Sequence, residues 1–254
     1  LEMRSTVNGH LTFPVYCMTH DRTGRFVVTG ADDRLVKVWS SATNELVMTL
    51  RGHLSEIVDL AVSTDNTLLA TASVDGIIRL WEFASGDLVT VLKGHEKQVN
   101  MINFVPLKDD LLSVANDGTC RVWDARGHYR AFCGRANAAP VVDDVADEDG
   151  TDHHGEVAEP VVLECVVRGG SPEVVVLSIN PTGLHFATAD TLGQVLVWET
   201  VNLSKVPKKP DIHGATGGSG SANALSNELH EFNKRNFAAS HLKKTLLGHH
   251  NEIG

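Results

Sequence analysis

Apolar and polar residues alternate with period two over long stretches of the chain, as in Ile57-Val58-Asp59-Leu60-Ala61-Val62. Such alternation places successive side chains on opposite faces of a β-strand. Segments of strand length follow at Leu68–Ser73, Ile77–Phe83 and Leu88–Leu92, divided by turn-forming runs such as Thr64-Asp65-Asn66 and Ser85-Gly86-Asp87. The pattern then repeats. Gly9-His10, Gly52-His53 and Gly94-His95 recur at spacings of 43 and 42 residues, and Trp39, Trp81 and Trp123 at 42 and 42. Six residues before each of these tryptophans stands an aspartate: Asp33, Asp75 and Asp117. Helical spacing is absent throughout these repeats.

Four short strands in a period of about 42 residues predict the blade of a β-propeller, a stack of small antiparallel sheets around an axis. A fourth, degenerate blade reads in Val174–Ile179, Leu184–Ala189 and Gln194–Trp198. Gly169-Gly170 stands there in place of the Gly-His pair, and Leu192 in place of the turn aspartate. Trp198 follows Trp123 by 75 residues, so extra sequence intrudes on the period. These marks predict a division of the chain into blades and insertions. Residues 1–8 form an outer strand that closes the ring's last blade. Blades one to three occupy 9–51, 52–93 and 94–134. An acidic insertion covers 135–160, the degenerate fourth blade 161–204, and a Gly/Ser-rich linker with a short helix 205–245. Residues 246–254 start a fifth blade. A chain that begins at Leu1 and stops inside a repeat reads as a piece of a longer protein.

These marks resemble the WD-repeat family. In that family the Gly-His histidine bonds the turn aspartate, and a Ser or Thr on the second strand connects the pair to the tryptophan of the third. The resemblance implies this network for His53, Ser73, Asp75 and Trp81 in full. It implies shorter networks for His10, Asp33 and Trp39 and for His95, Asp117 and Trp123, because Ala31 and Ala115 stand at the serine position. The expected fold is all-β: a WD-repeat β-propeller of four blades plus the start of a fifth, an incomplete fragment of a larger ring.

Residues 9 to 105 narrow the resemblance. Val15-Tyr16-Cys17, Asp21-Arg22-Thr23-Gly24, Thr29-Gly30-Ala31-Asp32-Asp33 and Leu35-Val36-Lys37-Val38-Trp39-Ser40 look like the opening blade of the bromodomain and WD-repeat proteins, the pleckstrin-homology-domain-interacting protein group. The match continues through Leu50-Arg51-Gly52-His53, Glu56-Ile57 and Asn66-Thr67. This implies a nuclear chromatin regulator, with histones or chromatin factors as partners, that also serves as substrate receptor for a cullin-4 ubiquitin ligase. Leu111 to Arg126 is similar to the box by which WD-repeat receptors dock on the cullin-4 adaptor, with Trp123, Asp124 and Arg126 at its end; Val114 departs from the small residue usual at its position. The alternative is an ordinary blade turn with a solvated arginine, in a scaffold of another complex such as RNA processing or trafficking.

Composition changes this picture little. Net charge is −10, which argues against a nucleic-acid surface, and no apolar run approaches the length that spans a bilayer. Residues 136 to 160 hold eight acids and neither Lys nor Arg, which predicts a solvated, disordered loop; its charge would suit a basic partner such as a histone tail. Residues 205 to 240 hold the run Gly214 to Ser221, a flexible linker by composition, and Leu225 to Phe237, a candidate amphipathic helix. Cys17, Cys120, Cys133 and Cys165 are scattered, so neither a disulfide framework nor a zinc ribbon is expected. His153-His154 and His249-His250 lack partners at ligand spacing. Phosphate-binding, dinucleotide and nucleophile-elbow motifs are missing. The expectation is a non-catalytic interaction platform without cofactor or metal.

Overall fold

A computed structural model describes residues 9–106, 108, 110–137, 161–164, 173–200 and 242–247. Those residues form four antiparallel sheets. The first blade runs β1 (Val15–His20), β2 (Phe26–Ala31), β3 (Val36–Ser40) and β4 (Leu46–Leu50); the second β5 (Ile57–Val62), β6 (Leu68–Ser73), β7 (Ile78–Glu82) and β8 (Leu88–Leu92). In the third blade β9 (Val99–Phe104), β10 (Leu111–Ala115) and β11 (Thr119–Trp123) are followed by a helix, α1 (Ala125–Asn137), before the outer strand β12 (Val161–Glu164). The fourth consists of β13 (Val174–Ile179), β14 (His185–Asp190), β15 (Gln194–Glu199) and β16 (Leu242–Leu247).

The blade boundaries differ from the sequence reading in the second half. Val161–Glu164, read as the start of the fourth blade, pairs with β11 and completes the third, so the insertion interrupts a blade instead of separating two. Leu242–Leu247 pairs with β15, so the 205–245 linker carries most of the fourth blade's outer strand. Any extended segment can pair with a free strand edge, and the entropy of closing the loop grows only logarithmically. Three doublings of loop length cost about 2 kcal/mol, so long excursions interrupt the blade without abolishing it. Residues 1–8 and 248–254 lie outside the described residues, as do 138–160 and the glycine-rich run.

Helix α1 overturns the expectation that helical spacing is absent from the repeats. Asp124 caps it, its Oδ1 accepting the Gly127 amide at 2.7 Å. Ala125, Tyr129 and Phe132, which share one helical face, pack on the core between the second and third blades.

Neighbouring blades stack face to face, and three apolar clusters mark the three seams. Val28, Val38, Ile57 and Leu69 belong to the first, Leu68, Leu80, Phe104 and Trp123 to the second, and Leu112, Val122, Phe186 and Trp198 to the third. The innermost strands β1, β5, β9 and β13 lie side by side. Each bears a bulge near its start, after which Cys17, Asp59 and Met101 take equivalent places. Asp59 spans a seam: its carboxylate accepts the Leu60 amide at 2.9 Å and the Ile102 amide of the next blade at 2.7 Å. The Met101 thioether repeats the reach, accepting the Leu177 amide at 3.4 Å. Burial pushes the Asp59 carboxyl up to about 6, despite those two amides.

Candidate functional site

In every blade the tryptophan indole donates to a hydroxyl ten residues earlier. Trp39 meets Thr29 at 2.9 Å, Trp81 meets Thr71 at 2.9 Å, Trp123 meets Ser113 at 2.9 Å and Trp198 meets Thr188 at 3.0 Å. In the first blade the Thr29 hydroxyl lies 2.8 Å from His10 Nε2, and His10 Nδ1 lies 2.9 Å from Asp33. The third blade repeats this: His95 Nε2 to Ser113 at 2.7 Å and Nδ1 to Asp117 at 2.9 Å. A carboxylate only accepts, so Nδ1–H donates and the hydroxyl donates to Nε2. Burial works against the Asp117 charge, yet hydrogen bonds from His95 and Thr119 hold its carboxyl well below the ordinary range.

The second blade, whose sequence matches the family pattern most fully, is built differently. Arg79 Nη1, not Asp75, lies 2.9 Å from His53 Nδ1. A guanidinium only donates. His53 Nδ1 is therefore an acceptor, and its Nε2–H donates to Thr71 at 2.6 Å. The imidazole carries its proton on the opposite nitrogen from His10 and His95. Burial, with Arg79 beside it, pushes the His53 pKa down to about 3. Asp75 is exposed, its Oδ1 accepting the Ile77 amide within its own turn.

Two sequence expectations about this network are corrected. Ser73 does not join it: Thr71 does, and the Ser73 hydroxyl is buried without a partner. Ala31 and Ala115 do not shorten the first and third networks, because Thr29 and Ser113 supply the hydroxyl. A signal was present in the sequence, a Ser or Thr ten residues before every tryptophan. In the fourth blade Asp190 supplies the turn carboxylate that Leu192 lacks; its Oδ1 accepts the Leu192 amide at 2.9 Å and the Gln194 amide at 2.8 Å.

The three residues of the docking box separate. Trp123 is 1% exposed and committed to the blade. Asp124 is exposed and caps α1. Arg126, in the first turn of α1, reaches across the seam and donates to Asp65 at 3.0 Å; the two side chains are 38% and 34% exposed. Tyr129 follows on the same helix, donating to Glu82 at 3.0 Å.

On the axial side, Thr19, His20 and Arg22 of the first blade, Asp59 of the second, and Met101 and Asn103 of the third border a cavity of about 280 Å3. Among the described residues no cluster of three His, Cys, Asp or Glu side chains could hold a metal ion, and no helix is long and apolar enough to cross a membrane.

Comparison with known proteins agrees with this geometry. The family model "WD domain, G-beta repeat" matches residues 1–40, 44–82 and 86–124. A bromodomain and WD repeat-containing protein of Dictyostelium discoideum is 55% identical over 67 residues, 26% of this chain and 3% of its own length. The pre-mRNA-splicing factor PRP46 of Saccharomyces cerevisiae is 36% identical over 73 residues, 28% of this chain and 16% of its own. The chain thus spans only a small part of these relatives. A solved structure of U3-55K superposes with a TM-score of 0.57 at 18% identity, over 76% of this chain and 50% of that one. No catalytic family is indicated. Register, shared network and superposition make the fold that of a WD-repeat β-propeller, with WD repeats in its first three blades.

Proposed function

We propose that this chain is the interaction platform of a nuclear, chromatin-associated regulator, and that Arg126 is the contact by which it docks on the cullin-4 ligase adaptor. Likeness to a protein named for a bromodomain as well as WD repeats supports the first part. The observation that carries the second is the position of Arg126: part-exposed, in the first turn of α1 just after β11, and fixed by its ion pair with Asp65 across the seam. A guanidinium held in this way offers a planar donor fork to acceptors on a partner. Trp123 and Asp124 then act indirectly, the one fixing β11 and the other the helix that presents Arg126.

The experiment is affinity purification of the full-length protein from cell extract, as wild type and as Arg126→Ala. The adaptor and histones are quantified in both. An exposed ion pair contributes about 0–1 kcal/mol, so the variant keeps its fold. The reading expects the adaptor with wild type and at least a tenfold loss, about 1.4 kcal/mol, with the variant. Adaptor absent from both samples, or equal in both, contradicts it. A second reading, a scaffold in an RNA-processing complex, draws on the splicing-factor likeness; splicing components without adaptor or histones would favour it.

A further inference from the structure

The three seams are built on one plan, which makes a difference between two of them informative. At the seam of the second and third blades, Leu68 and Leu80, with Val89 of the outer strand β8, belong to one apolar cluster, and Tyr129 and Phe132 of α1 pack against it and close the groove there. The corresponding positions at the seam of the first and second blades are Phe26, Val38 and Val47. Here a short turn takes the place of a helix. Phe83 stands where Ala125 stands in the next blade and meets Phe26 edge-on, with centroids 6.0 Å apart. It does not fill the groove. A cavity of about 190 Å3 remains, bordered by Phe26, Val38, Val47, Met48 and Phe83, with Arg25 at its rim. Val47 is 48% exposed at the opening.

The size fits one ring, since an apolar cavity of about 150 Å3 binds benzene. The rim chooses the charge of what enters. Around α1, a basic helix with Arg126, Arg130 and Arg135, the second blade offers Asp65 and Glu82. In the first blade the positions of those two acids are held by Thr23 and Ser40. Arg25 stands there instead, its guanidinium 5.8 Å above the Phe26 ring and its Nε donating to Thr23 at 2.9 Å. No carboxylate among the described residues forms an ion pair with it. Asp21 also lines the cavity, but it is 1% exposed, and its carboxylate accepts the amides of Thr23 and Phe26 and the Asn66 side chain. The groove therefore repeats the apolar floor of the α1 site, with Asp21 buried in its wall and an exposed cation, Arg25, at its rim where the second blade has acids.

We propose that this cavity is a docking pocket for a partner protein's helix that inserts one aromatic side chain and sets a carboxylate against Arg25. This surface is distinct from Arg126, and the inference stands apart from the reading of the ligase contact.

Two peptides of the α1 sequence serve as probes, both with C133S to prevent oxidation, one otherwise native and one with R126E, R130E and R135E. Binding to the full chain is followed by fluorescence anisotropy. The acidic peptide is expected to bind at least tenfold more tightly than the basic one. Val47→Arg, at a half-exposed site that leaves the core untouched, is expected to weaken it at least tenfold. Arg25→Glu is expected to reverse the preference between the peptides. Equal binding of the two peptides, no binding of either, or acidic-peptide binding that survives Val47→Arg would overturn the proposal.

Discussion

The first and second blades carry the same marks, Gly-His, aspartate and tryptophan at matching spacing, yet the histidine has opposite partners. His10 faces a carboxylate and His53 a guanidinium. What the blades share is the hydroxyl that receives the tryptophan indole. The constant part of the network is the Thr or Ser to Trp bond at the centre of the sheet, while the histidine's outer partner varies with whatever charged side chain the top of the blade provides. Lys37, Arg79 and Arg121 occupy one position in successive blades, two before the tryptophan. Only Arg79 turns to the imidazole. Lys37 reaches the Gly9 carbonyl, and Arg121 lies between Thr119 and Asp117.

The comparison breaks most strongly on pH. A depressed imidazole pKa contributes stability that is present above the unfolded value near 6.5 and is lost as pH falls toward 3. Protonation would remove the acceptor that Arg79 uses and bring two cations together. The shift corresponds to a loss on the order of 5 kcal/mol across that window. Asp59 acts in the opposite sense: its raised carboxyl penalises the folded state above about 6, and the penalty fades as pH falls to the unfolded value near 3.8. Unfolding by urea at several pH values, in wild type and His53→Gln, cancels the Asp59 contribution in the difference. The variant is expected to lose less stability in acid than wild type. Parallel curves would contradict the inverted network.

The hydroxyls come next. Thr71→Val leaves the Trp81 indole and the His53 Nε2–H buried without partners, which costs about 3–4 kcal/mol. Ser73→Ala, two residues along the same face, removes a hydroxyl that bonds nothing and changes stability by less than about 0.5 kcal/mol. Similar losses from both would show that the relay runs through Ser73 after all. Smaller is the contrast between the turn aspartates. Asp117→Asn replaces a carboxylate that holds His95 and is expected to cost about 2 kcal/mol. Asp75→Asn, at an exposed site without histidine contact, costs less than about 0.5 kcal/mol, as thermal unfolding would measure.

The smallest effect sharpens the turn itself. Successive blades place Gly76, Gly118 and Gly193 in the left-handed region just after the turn carboxylate position, and Arg34 takes that conformation in the first blade with φ 63°. A side chain at Gly76 would meet the Lys97 carbonyl at 2.8 Å, whereas Arg34 is exposed. Arg34→Gly is therefore expected to stabilise the first blade by about 0.5–1 kcal/mol, visible as a raised unfolding midpoint.

Much of this fold was legible in period-two alternation and in spacings that recur within one residue. The first two blades and the three inner strands of the third follow from those alone. The hydroxyl was misplaced because Thr71 and Ser73 point to the same face of β6, and only their reach to His53 and Trp81 separates them. Outer strands β12 and β16 were misassigned because edge pairing tolerates any intervening length, so the repeat period stops locating them. Helix α1 left a trace, Asp124 followed by Ala125, Tyr129 and Phe132 on one face, hidden within a span read as blade. No spacing could reveal that Arg79 displaces Asp75, since both residues fit the pattern and only geometry chooses between them.

The histidine tautomers separate the two arrangements. Long-range proton–nitrogen correlation spectra of the imidazole rings at pH 7.5 report which nitrogen carries the proton. The inverted network predicts Nδ1–H for His10 and His95 and Nε2–H for His53. Nδ1–H at all three would show that Asp75, not Arg79, holds His53, Nε2–H at all three would remove the carboxylate contacts of His10 and His95, and in either case the distinction between the blades would fall.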